Sequence, residues 1–198
     1  MILSWCRVGS FNQSRCLRVL VGTLLAAAGV ALIIYGLRAA VAQAGYQRLK
    51  YGCLAEADPE DKAVLAERVY ALYPHQYYVC ELMADAFWRG AAEGIWWQRE
   101  TWGEAASDWS RRGRLLNPYS RELAWIETLL AWNDSPEAAL AIWEPYVLDF
   151  SFWDAWNLAG LIRLRADAGR VESARKLLPL LQGRPEYAAA LAAVERAR

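Results

Sequence analysis

Histidine is almost missing from this chain: His75 is the only one in 198 residues, so a His-based metal or haem site has nearly nothing to use. Acidic residues are missing from positions 1 to 38, which carry Arg7, Arg15, Arg18 and Arg38. The remainder holds 18 basic residues (22 less those four) against 22 acidic ones. That mildly acidic balance argues against nucleic acid, whose affinity rests on Lys and Arg neutralising phosphates. The four cysteines, Cys6, Cys16, Cys53 and Cys80, show no CxxC spacing. Cys53 and Cys80 are the one pair available downstream of the apolar run if that part lies in an oxidising compartment. Two unlinked, buried small apolar residues are the other reading. No phosphate-binding loop occurs, and no Ser or Cys arrangement makes His75 a catalytic base. The carboxylate pairs Glu60 with Asp61 and Glu81 with Asp85 read as helix-start and surface charges rather than an acid–base couple. No catalytic residue, cofactor or metal ligand is assigned, and the chain is not expected to be an enzyme.

What is plentiful is apolar surface. Val19 to Leu37 is a run of nineteen residues without a charged side chain, roughly 28 Å of helix against a hydrocarbon layer of ~30 Å. A soluble core helix is rarely apolar all round for that length. A cleaved export signal has support in the basic start and the "AQA" at Ala42 to Ala44. Against it stand 18 residues before the run, an apolar core longer than such signals carry, and Arg38 between core and cleavage site. The expectation is a basic tail at 1–18, one transmembrane helix at 19–37 in contact with the lipid bilayer, and a second part at 38–198. Gly22, Ala26 and Gly29 supply small surfaces for packing another membrane helix. Arg7, Arg15 and Arg18 before the run favour a cytoplasmic N-terminus by the positive-inside rule. Residues 38–198 are then extracytoplasmic, in the periplasm where one exists.

Past the run the chain lacks strand alternation and reads as helices broken by short turns. "ADPEDK" has Asp58 as N-cap and Pro59 at the first helical position, and "NDSPEAAL" repeats this with Ser135 and Pro136. Gly169 and Gly183 fall where helices should stop. The predicted helices cover 40–56, continuous with the span, then 59–73, 76–91, 99–116, 119–132, 136–147, 151–168, 171–182 and a cap at 185–197, arranged as paired hairpins.

Ala106, Ala139 and Ala174 open the second helix of successive hairpins, 33 and 35 residues apart, bracketing a 34-residue period. Cys80, Met83, Ala84 and Phe87 follow Pro74 at the spacing of a large residue, a Leu position, a small residue and an aromatic. "GRVESARKLL" from Gly169 and "AASDWSRRGRLLNP" from Ala105 match the second-helix pattern. On these residues the chain resembles the tetratricopeptide repeat family over about residues 57 to 182, departing from it at Glu127 and Ile162. The resemblance implies an α-solenoid of antiparallel hairpins, which with the apolar run gives an all-α fold of one N-terminal transmembrane helix followed by that solenoid. In such a stack Ala84, Ala106 and Ala174 let helices approach closely while Trp125, Trp143 and Trp156 fill the gaps.

The period fails once: Pro74 to Pro118 spans 44 residues, about ten more than the family repeat. The excess falls in "RGAAEGIWWQRETW", an expected insertion loop at about 89–102. Ile95, Trp96, Trp97 and Trp102 there are candidate partner-binding residues, as Trp is an interface hot-spot type; packing into the core is the alternative. Arg111, Arg112 and Arg114 are a second candidate contact, or a solvated face balanced by Glu104, Asp108 and Glu122. Together these features, with the resemblance, imply a membrane-anchored protein–protein interaction scaffold, an accessory subunit of an envelope complex. Its partners would be other subunits of that complex, with no small-molecule ligand. A glycan-binding module using exposed Trp faces is the alternative. Membrane remodelling by the loop would require Trp96 and Trp97 at bilayer height.

Overall fold

The structure, a computed structural model, describes residues 7–94 and 98–197, with side chains from Leu17 onward. Among the described residues every regular element is helical, and one N-terminal helix is long and apolar enough to cross a membrane. This helix, α1 (Arg7–Tyr51), has 45 residues, roughly 68 Å at 1.5 Å per residue. Its residues from Leu17 to Val41 are nearly all exposed, whereas Ala42, Tyr46 and Leu49 are buried. One helix therefore carries both the apolar rod and a wall of the domain core.

The chain then folds back on itself repeatedly. Helices α2 (Pro59–Leu72), α3 (Tyr77–Glu93), α4 (Arg99–Leu116), α5 (Arg121–Trp132), α6 (Pro136–Tyr146) and α7 (Ala155–Asp167) each pack on the one before and the one after. A short α8 (Val171–Arg175) and α9 (Tyr187–Arg196) close the row against α7. Buried side chains run through the stack in three adjoining clusters, along α1–α5, α5–α7 and α7–α9. Ala84, Ala106, Ala139 and Ala174 are fully buried, since only a small side chain lets two helix backbones come close.

Helix ends follow local chemistry. Ser120, Ser135 and Asp154 accept hydrogen bonds from the amides of Leu123, Ala138 and Asn157, satisfying otherwise orphaned N–H groups. Asp58 stands at its expected cap position, but its side chain accepts no such bond. Gly169 and Gly183 have φ of 73° and 81°, the left-handed conformation that ends helices.

Three expectations are corrected. The loop at 89–102 is largely helix: Arg89–Glu93 belongs to α3 and Arg99–Trp102 to α4. The additional residues lengthen this hairpin, whose helices have 17 and 18 residues where α5 and α6 have 12 and 11. The helix at 171–182 divides, α8 giving way to a 3₁₀ turn over Leu178–Leu181, because Pro179 has no N–H to continue the ladder. The helix at 151–168 starts only at Ala155; ahead of it Val147–Ser151 forms a π-helical turn, just after Pro145 removes one N–H from α6.

Candidate partner-binding groove

Helices α1, α3, α5 and α7 lie side by side and run in the same direction. Gln76 Nε2 at the start of α3 donates to Gln43 Oε1 of α1 at 2.8 Å. Ser120 Oγ at the start of α5 donates to Glu81 Oε1 of α3 at 2.5 Å. Trp125 of α5 packs edge-on against Trp156 of α7, ring centres 4.9 Å apart.

Between these helices runs a groove. One part, a cleft of about 460 Å³, is lined by Trp88, Trp125, Leu129, Trp132, Arg163 and Asp167 among others. A second cleft, of about 310 Å³, is lined by Tyr46, Lys50, Tyr78 and Glu81 among others, and Trp88, Trp125 and Leu129 stand between the two. The floor is aromatic and the rim charged, a combination suited to holding a polypeptide segment. Among the described residues Arg163 and Asp167 make no ion pair, though four apart on α7. Asp85 is tied to Arg89 at 3.0 Å. Burial pushes the Glu81 carboxyl up, against the Ser120 hydrogen bond that lowers it. Glu127 is likewise raised by burial, opposed by the charge of Arg114.

The residues singled out by sequence scatter. Ile95, Trp96 and Trp97 lie outside the described residues. Trp102 is corrected: it is buried in α4, and its indole Nε1 donates to Glu60 Oε1 at 2.8 Å, so it braces α4 on α2. Arg112 reaches Glu67 and Asp108, each at 2.7 Å, with its guanidinium 4.8 Å from the Trp109 ring centre. Arg114 sits 3.6 Å from Glu127. Of the three acids expected to balance these arginines, Asp108 alone is paired with one of them among the described residues; Glu67 and Glu127, from other helices, do the rest. Arg111 is exposed beside Glu104 and Glu127. On α1, nothing lies within 4 Å of a Cβ built on Gly22 or Gly29, and Ala26 is exposed on the same face.

The disulfide is corrected too: Cys53 and Cys80 are both free, Cys53 exposed and Cys80 buried. Burial pushes the Cys80 thiol up to about 12, so it stays protonated and unreactive at neutral pH. Among the described residues no three His, Cys, Asp or Glu side chains are grouped to hold a metal ion.

The groove residues Trp88, Trp132 and Arg163 were not singled out. Trp125 and Trp132 fall seven apart on α5, a spacing that puts both on one face, but such a stripe reads equally as core. No protein-family model, curated protein or solved structure matches the chain.

Proposed function

We propose that this protein is a membrane-anchored interaction scaffold, an accessory subunit of an envelope complex. In this reading α1 crosses the bilayer over Val19 to Leu37, with the N-terminus cytoplasmic and residues 38–198 outside as a tetratricopeptide-like solenoid. The groove along α3, α5 and α7 receives a segment of a partner protein. The observation that carries the reading is that cleft: Trp88, Trp125 and Trp132 line it beside Arg163 and Asp167, two charges without an internal partner among the described residues. A buried aromatic anchor next to such a charge is the usual energetic centre of a protein interface. The row of Gly22, Ala26 and Gly29 offers a separate contact inside the bilayer, where small residues let helices pack closely.

The test is purification from native membranes in mild detergent, comparing the natural chain with Trp132→Ala and Arg163→Glu. Both positions are at the groove rim, so the variants should fold normally by circular dichroism and lose co-purifying proteins. A natural chain that comes down alone in every detergent would rule out the scaffold.

Glycan binding is a second reading, supported by Trp132, 39% exposed and followed by Asn133 and Asp134. Quenching or enhancement of Trp emission on adding envelope oligosaccharides, lost in Trp132→Ala, would favour it.

A further inference from the structure

We propose that the helical domain lies down on the bilayer that α1 crosses, its turns after α4 and after α6 inserted among the lipid headgroups. The proposal rests on reading α1 as a membrane span. Helix α2 runs back toward the apolar rod: Arg38 Nη2 donates to the Ala71 carbonyl at 3.1 Å, and the Tyr35 and Tyr73 rings meet edge-on at 5.6 Å. The turn between α2 and α3 is thus level with the end of the apolar run. The starts of α5 and α7 continue the row from the start of α3, each set against the first turns of the alternate helix before it, Ser120 on Glu81 and Trp156 on Trp125. That row is where exposed apolar side chains concentrate. Leu115 is 82% exposed, Tyr119 64% and Trp153 80%, with Leu148, Phe150 and Phe152 also exposed. Tyr119 and Phe150 touch edge-on at 4.8 Å, so the two turns form one patch.

The opposite end of the domain differs. Its described turns expose Glu56, Asp58, Asp134 and Arg170, with Tyr51 and Trp132 as the exposed large apolar residues next to them.

A lipid surface is the occupant the geometry favours over a protein. If α1 spans, a headgroup layer lies at the level of Arg38, and these turns are at the end of the domain nearer to it. Mixed Trp, Tyr, Phe and Leu side chains are the type that settle at that depth. Left in water, a contiguous apolar patch of this kind is costly.

The test uses the full chain in phosphatidylcholine nanodiscs, with Cys6, Cys16 and Cys53 replaced by Ser and the buried Cys80 retained. Single cysteines are placed at Leu115, Trp153, Leu32 and Asp134 and labelled with an environment-sensitive fluorophore. The quencher is a nitroxide lipid spin-labelled near the headgroup. Quenching at Leu115→Cys and Trp153→Cys at least about twofold stronger than at Asp134→Cys is expected, with Leu32→Cys also quenched. Quenching at Leu32→Cys while the two turn positions stay as wet as Asp134→Cys overturns the proposal and leaves the anchor standing, and the patch then awaits a protein. Equal quenching at all four positions overturns it as well. No quenching at Leu32→Cys overturns the anchor and the proposal together.

Discussion

Single residues show how differently one amino-acid type is used. Trp143 is fully buried, its indole donating to the Asn157 carbonyl at 3.2 Å, whereas Trp153 stands in the open. Trp143→Ala should cost about 3–5 kcal/mol, the usual range for emptying an aromatic site, and Trp153→Ala less than ~0.5 kcal/mol. Urea unfolding of the detergent-solubilised protein, followed by far-UV circular dichroism, measures both. Glu81 supplies a pH-dependent case. Its folded pKa lies above the ordinary 4.5 because of burial. The stabilisation it brings is complete below that ordinary value, where the carboxyl is protonated in both states, and fades as pH rises through the raised folded value. Glu81→Gln stays neutral and still accepts from Ser120. Its thermal midpoint should therefore gain on that of the natural chain as pH rises from 4.5 through the raised folded value. A constant difference across that range would contradict the assignment.

Helices and turns were the most legible level. The starts at Pro59 and Pro136 stand where cap residues and proline placed them, because those signals act within four residues. Pairing of helices is less local. Gly113 illustrates the gap: a Cβ there would come within 2.5 Å of Leu123 Cδ1 and 2.9 Å of Cys80 Cβ. It permits α4, α3 and α5 to meet, yet in the sequence it reads as a mere weakness inside a helix. Gly113→Ala, which should strengthen an isolated helix, is expected to destabilise the protein by about 1–3 kcal/mol through overpacking, seen as a lowered melting temperature. Likewise the surplus residues between Pro74 and Pro118 suggested a loop. Helix periodicity extends through most of them, and they add turns to α3 and α4 instead.

At the scale of the molecule, the apolar rod and the helical domain are one piece. Ala42, Tyr46 and Leu49 of α1 are core residues, so no flexible linker separates the rod from the stack. A chain shortened to residues 38–198 should fold and stay soluble without detergent, while one shortened to 52–198 uncovers the α2–α3 surface and should melt at lower temperature or aggregate. Light scattering and circular dichroism on the two chains decide this. Equal stability of both would mean that α1 ends, structurally, where the apolar run does. Rigid attachment also sets the level of every turn relative to the apolar rod, which a tether would leave free.

By itself the sequence determined that this chain is helical, where several of its helices start, and that its N-terminal part is apolar enough to cross a bilayer. These properties follow from periodicity, capping and turn chemistry among near neighbours. Only the tertiary structure decided which tryptophans go inside, which acids the arginines find, that Cys53 and Cys80 stay apart, and that the exposed Tyr119 and Phe150 of two different turns meet. Each of those depends on helix register across dozens of residues, where many side chains compete for the same space and no local pattern records the winner.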